Sequence, residues 1–327
     1  MSYQKILFIS WTPDTKGSQR TKILSSYLNS DIFRFPLFTR NILLSPIKFP
    51  IQIIITLIYL FKKKPEILLV EFTQPFIGLT SILYKKIFKK ITIIDFHSGP
   101  LVSKQWKNLQ SLTYFVLKRS DLIIIHEKTI IKKLKFLKDK KFIIIHDPPL
   151  NFKDIPVFYK EKEYLVFPSS GGEDEPLEEL IESAKFFHEL DFYITGKHKK
   201  KFLNVPQNVK FTGLLSFKEF YSLLKGSKGI IALTKWENTL LSAGFEALNL
   251  EKPLIVSNKR ALREFFKENV IYVNNNPDSI KKGIEKLLEN YDYYTQKIKN
   301  FKKDYIKRFE GEIENLKKIL SSFNKTS

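Results

Sequence analysis

Short apolar runs alternate with longer helical stretches along the chain, and that alternation narrows the possible folds more than any other feature. In the first half the runs are KILFISW, EILLVEF, ITIIDF, DLIIIH and FIIIH. Each is rich in β-branched residues and almost unbroken by polar ones, as in strands covered on both faces within a parallel sheet. Between them QRTKILSSYL, FPIQIIITLIYLF, TSILYKKIF, LQSLTYFVLKR and TIIKKLKFL have the length and spacing of helices. The βαβ order predicts a doubly wound α/β class.

At HDPPLNFKDIPVFYKEKE, residues 146–163, the alternation stops in a polar stretch with three prolines, which reads as a linker. It restarts with YLVFPS, PLEELIESAKFFHEL, DFYITG, NVKFTG, SFKEFYSLLKG, GIIALT, SAGFEALNL, PLIVSN, ALREFF, VIYVN and PDSIKKGIEKLLEN. A chain of 327 residues has room for two domains. We expect Rossmann-like domains over 1–155 and 156–327 facing a central cleft. The tail at 293–323 reads as one or two helices, the last packing back on the first domain. Ligands of such sheets sit beyond the carboxyl ends of the strands, so the loops there are where chemistry is sought.

Lys and Arg number 55 against 34 Asp and Glu, a net charge of +21, which calls for an anionic partner such as a phosphorylated ligand or an anionic membrane face. The basic residues are spread rather than clustered, and the aromatic residues fall mostly in predicted cores, so no nucleic-acid partner is expected. The absence of Cys excludes disulfides, thiolate metal sites and Cys nucleophiles. MSYQKILFIS enters a strand pattern directly, without the marks of a secretory signal, and a cytoplasmic location is expected. The most apolar window, FPIQIIITLIYLF, has 13 residues and is closed by three lysines at 62–64. It is short of the ~20 residues that span a bilayer. It reads either as a buried or half-buried helix, or as a helix lying in the interface at the inner face of the membrane with its basic end near lipid phosphates.

Several strand-end loops carry candidate residues. After the first strand, Gly17 and Ser18 open a turn into a helix begun by Gln19 and Arg20; the free N–H groups and Arg20 suit an anion, although the GxGxxG fingerprint is absent. In DFHSGPL, Asp95 and His97 end a strand, and a His there can hydrogen-bond a hydroxyl or move a proton near neutral pH. His126 and His146 also end strands, but without the close spacing of helical metal pairs no metal site is expected. His188 and His198 read as structural or solvated. In PSSGGEDEP, Ser169, Ser170, Gly171 and Gly172 offer flexible N–H groups before a helix, a phosphate-like setting that Glu173, Asp174 and Glu175 also explain as a well-capped helix start. In the stretch from Thr234 through Glu237, Asn238, Leu241, Ser242, Ala243 and Gly244, small residues and turn amides suit an anion, and Glu246, a turn into the next helix, can reach sugar hydroxyls or serve as a salt-bridged or capping Glu.

FTGLLSFKEFYSLLKGSKGIIALTKWENTLLSAGFEALNLEKPLIVSN resembles the donor-binding half of GT-B glycosyltransferases, particularly family 4 or group 1. Gly213 and Glu219 fit the module's first part, Thr234 its strand end, Glu246 and Ala247 its second Glu and neighbour, and Lys252 and Pro253 its pre-strand turn. DFHSG resembles the family's Asp-x-His loop, and YITG its mid-domain glycine, Gly196. Three departures stand out. Asn238 lies eight residues before Glu246 where a Glu is usual, while Glu237 keeps the distance from Thr234. SSGGEDEP replaces the loop that usually supplies an Arg and a Lys to the diphosphate. Glu251 stands where a Gly is usual. Lys197, Lys199, Lys235 and Arg20 are the alternative cations.

The resemblance implies a transferase moving a sugar from a nucleotide-diphosphate sugar to a glycan or lipid-linked acceptor with retention of configuration. Glu246 would bind the donor and His97, beside Asp95, the transferred sugar, with no metal or other cofactor. A non-catalytic partner subunit and a nucleotide-sugar epimerase of the same fold are the alternatives.

Overall fold

The structure is a computed structural model that describes residues 5–12, 19–37, 45–132, 134–157, 162–198 and 202–323. It divides into two compact units, one made of 1–148 and 309–327 and the other of 149–308. The division falls at Pro149 rather than at residue 156.

In the first unit the chain runs through β1 (Ile6–Ser10), α1 (Gln19–Leu28), β2 (Asp31–Arg34), α2 (Ser45–Lys63), β3 (Ile67–Phe72), α3 (Pro75–Phe88), β4 (Ile91–Phe96), α4 (Gly99–Val102), α5 (Gln110–Arg119), β5 (Leu122–Ile125) and β6 (Phe142–Ile144). The strands form a parallel sheet in the order β2-β1-β3-β4-β5-β6. Alternate residues serve opposite faces, as a period of two requires. Leu7, Ile9, Leu68, Val70 and Ile94 pack with Leu60 and Ile77 on one side, and Phe8, Ile67, Leu69, Ile93 and Ile124 with Leu24 on the other. The sequence pattern passes over β2, whose DIFR is only half-buried at the sheet edge. It also predicts a helix at TIIKKLKFL, where the chain instead makes two short 3₁₀ turns at Lys128–Lys132 and Lys135–Asp139.

The second unit contains β7 (Tyr164–Phe167), α6 (Leu177–Ala184), β8 (Asp191–Thr195), β9 (Val209–Gly213), α7 (Phe217–Gly226), β10 (Gly229–Ala232), α8 (Ser242–Leu250), β11 (Leu254–Ser257), α9 (Arg260–Phe266), β12 (Ile271–Val273) and α10 (Pro277–Glu289). Its parallel sheet has the order β12-β11-β10-β7-β8-β9, with the direction of winding reversing between β7 and β10. That is the Rossmann order, in which the crevice for a ligand opens at the reversal.

The tail is one helix, α11 (Tyr291–Phe323). Its residues Ile298, Phe301 and Tyr305 belong to the core of the second unit, while Phe309, Ile313, Leu316 and Leu320 belong to that of the first.

Candidate functional site

In the first unit the chemistry gathers at the carboxyl end of β4. Asp95 is fully buried and its two oxygens are gripped by Arg20 of α1, Nε to Oδ2 at 3.0 Å and Nη2 to Oδ1 at 2.9 Å. The same guanidinium donates to the backbone oxygens of Ile145 and His146 and to Asp147. This corrects the expectation that Arg20 waits for an anion on an open loop: it is the internal counter-ion of Asp95. Gly17 and Lys199 lie outside the described residues.

His126 Nε2 lies 3.0 Å from Asp95 Oδ1 and donates to it. Burial alone would push the Asp95 carboxyl up, but Arg20 and His126 outweigh it and hold the group well below the usual carboxylate range. His97 stands apart from this network. Its Nε2 is 3.9 Å from Asp95 Oδ2, too far for a hydrogen bond, and has no partner among the described residues. Its ring meets His126 edge-on, centroids 4.4 Å apart. Burial and then the charge of His126 outweigh the pull of Asp95 and Glu71, and the imidazole is pushed down to about 4. His97 is therefore neutral near pH 7, with an unused nitrogen.

Asp95, His97 and His126 bring ligand atoms within 4.8 Å of one another. The set does not fit a cation. Arg20 already covers both oxygens of Asp95, His126 is spent on the same carboxylate, and the guanidinium would repel a metal charge. The third strand-end histidine is elsewhere: His146 Nδ1 lies 2.6 Å from Glu312 Oε1 of α11.

One group here escapes the sequence reading. Glu71 is buried in β3 and accepts from Thr12 Oγ1 at 2.8 Å, beyond the end of the neighbouring strand β1. A carboxylate inside the apolar run EILLVEF was the available signal.

In the second unit the winding reverses between β7 and β10, whose loops are bonded there by Thr234 and Asp174, and the loop after β7 also crosses the loop after β8. Gly171 and Gly196 have φ of +75° and +89°, and a Cβ on either would collide with a carbonyl oxygen of the other loop, that of Lys197 or Ser169. Only glycine permits this crossing. The N–H groups predicted for phosphate do not converge: the Ser169 amide donates to Thr195 Oγ1, the Gly171 amide to Ser169 Oγ, and the Ser170 amide to the protein's own carboxylate at Glu175. Glu175 accepts from the Ser170 amide at 2.8 Å, the Ser170 hydroxyl at 2.9 Å and the Ser169 hydroxyl. Asp174 accepts from Thr234 Oγ1 at 2.5 Å, joining the two loops, and burial pushes its carboxyl up against the effect of that bond. Thr234 is fully buried and serves as this joint. Gly172 lies against the Asp174 and Glu175 side chains.

The opening of α8 is different. Leu241 stands at its N-cap with no side-chain capping bond, which leaves the first amides of the helix, at Ser242 and Ala243, without a capping side chain. The Gly244 amide is spent on the Leu241 carbonyl at 2.9 Å, and a Cβ there would strike Phe266, so this glycine serves packing. Glu246 is half-buried one turn on and accepts from Tyr221 Oη at 3.4 Å. Glu237 is exposed and bonds Lys259 Nζ and the Arg260 amide at the start of α9, contacts that lower its pKa; Asn238 beside it is half-buried. Glu251 takes the left-handed position that ends α8, with φ 58°, which explains why Gly is usual there, and is paired with Lys302.

Residues 150–304 match the family described as Glycosyl transferases group 1. An uncharacterized glycosyltransferase of Methanocaldococcus jannaschii is 23% identical over 74% of this chain and 71% of its own length. Among solved structures, a sucrose-phosphate synthase from Thermosynechococcus elongatus superposes with a TM-score of 0.77 at 12% identity, over 99% of this chain and 100% of that one. The Anabaena protein HepE, solved in complex with UDP and glucose, gives 0.70 at 12% identity over 98% and 100%. A glycosyltransferase from Rickettsia africae gives 0.69 at 15% identity over 100% of both. The fold is GT-B, with two parallel six-stranded sheets and interleaved helices.

Proposed function

We propose that this chain, a GT-B protein carrying a group 1 glycosyltransferase domain over residues 150–304, moves a sugar from a nucleotide-diphosphate donor to the hydroxyl of a membrane-associated glycan or lipid-linked saccharide, with retention of configuration. The observation that carries the reading is the side-chain-free N-terminus of α8, with Glu246 one turn inside it, in the region matched to the family. The amides of Ser242 and Ala243 and the helix dipole stabilise the negative charge that grows on the leaving diphosphate. Glu246 accepts hydrogen bonds from donor hydroxyls. Neutral His97 offers Nε2 to a hydroxyl of the transferred sugar, with Asp95 fixed beside it by Arg20 and His126. No metal enters this reading, because amides supply the phosphate stabilisation; EDTA should leave transfer unchanged. That HepE was solved with UDP and glucose supports a uridine nucleotide as the first donor to try.

The test is a thermal-shift panel of UDP, GDP, dTDP, CMP and their sugar conjugates. A ligand at 100 times its Kd stabilises the folded state by about 2.7 kcal/mol. One nucleotide should raise the melting temperature, and Glu246→Ala should abolish that shift. Where a donor is identified, His97→Ala should cut transfer by about 10²-fold or more while leaving the nucleotide shift in place.

One observation favours a second reading, a non-catalytic partner subunit: Glu175 fills the anion nest after β7. No shift with any nucleotide, for the wild type and for Glu175→Gln, would decide for it.

A further inference from the structure

The apolar window resolves into a helix with two unlike faces. Phe49, Gln52, Thr56 and Leu60 of α2 are buried. Ile47, Ile51, Ile54 and Ile58 recur at intervals of four, three and four residues and are 61%, 40%, 55% and 62% exposed. Such spacing places them in one stripe along the helix. Phe61 is also exposed and its ring meets Phe88 of α3 with centroids 5.2 Å apart, and α3 itself exposes Leu83 and Ile87. An exposed apolar stripe of this length is not ordinary surface, and it asks for a partner.

Charge indicates which one. Neither Ser45–Lys63 nor Pro75–Phe88 contains an Asp or Glu. Lysines 62, 63 and 64 close α2, and lysines 85, 86, 89 and 90 end and follow α3. Lys62, Lys64, Lys86 and Lys89 are exposed, whereas Lys85 is paired with Asp121. An apolar stripe ending in exposed cations fits a surface that is apolar within and anionic at its rim. Among the described residues no helix is long and apolar enough to cross a membrane.

We propose that the α2–α3 face of the first unit docks on an anionic lipid surface, the isoleucines inserting among the acyl chains while the lysines meet lipid phosphates. The proposal deepens the reading that the acceptor is membrane-associated and rests on it for its purpose, though its geometry stands independently.

The experiment is flotation of the full chain with vesicles of phosphatidylcholine alone and of phosphatidylcholine mixed with phosphatidylglycerol. The wild type should float with the mixed vesicles, more weakly in high salt, and remain behind with the neutral ones. Ile54→Glu and Ile58→Glu should each weaken binding about tenfold or more, since each removes a buried aliphatic side chain from the contact. Lys62→Gln combined with Lys64→Gln should weaken it by several-fold without touching the stripe. These sites are exposed, and an unchanged melting temperature for each variant excludes misfolding. The proposal fails if the wild type stays behind with both vesicles, or if the isoleucine variants float as it does. A wild type that does not float but is a dimer in solution, and a monomer as Ile58→Glu, would make this face a contact between copies and also overturn the proposal. Nucleotide shifts from the same preparations separate its failure from that of the glycosyl-transfer reading.

Discussion

Asp95 and His97 are two residues apart in the chain, and burial treats them in opposite ways. Asp95 keeps its charge because Arg20 and His126 offset the cost of removing it from water, whereas at His97 burial, and then the charge of His126, outweigh the pull of Asp95 and Glu71. This has a measurable consequence. Between the ordinary histidine value near 6.5 and about 4, the unfolded chain binds a proton at residue 97 that the folded chain does not. Stability therefore falls as pH is lowered through that window. Melting temperatures of the wild type and His97→Gln, compared from pH 7 to pH 4, should show a smaller acid-side loss in the variant. Equal losses would place the pKa of His97 elsewhere. At the same scale, His97 was legible from its strand-end position, but the role of Arg20 was not, because its partners Asp95 and His146 are 75 and 126 residues away.

At the scale of elements, α11 is one helix by pattern that contributes to two cores by packing. The heptad-like run of apolar residues marks a helix, and it is a single one from Tyr291 to Phe323. Its second half completes the core of the unit formed by the first part of the chain. Leu316 is fully buried there, beside Phe309, Ile313 and Leu320. Leu316→Ala should cost about 2–5 kcal/mol in chemical denaturation, as deletion of a well-packed leucine does. A cost under about 1 kcal/mol would show that this end of the helix is not a core element. The misread stretch TIIKKLKFL shows the converse: its spacing is helical, but the chain there makes two short 3₁₀ turns and still buries Ile130, Leu134 and Leu137 in one core.

Over the whole molecule the excess of 21 positive charges is a long-range feature that no pair of contacts describes. It draws anionic ligands, and salt screens it over about 8 Å at physiological strength. The Kd of the nucleotide found in the thermal-shift panel should therefore rise as salt is added; a flat response would place the charge away from the nucleotide site. The alternation of strands and helices was enough to read two doubly wound sheets, since strands buried on both faces carry few polar residues and so announce themselves. The motif around Glu246 was likewise legible, because strand, turn and helix follow one another within a few residues. What the sequence could not reveal was who neutralises whom. That Glu175 occupies the nest of Ser169 and Ser170, that Gly244 makes room for Phe266, and that Ile47, Ile51, Ile54 and Ile58 stay in the open were decided by the tertiary structure alone. Each depends on which distant group reaches a given point in space, and local propensity carries no record of that.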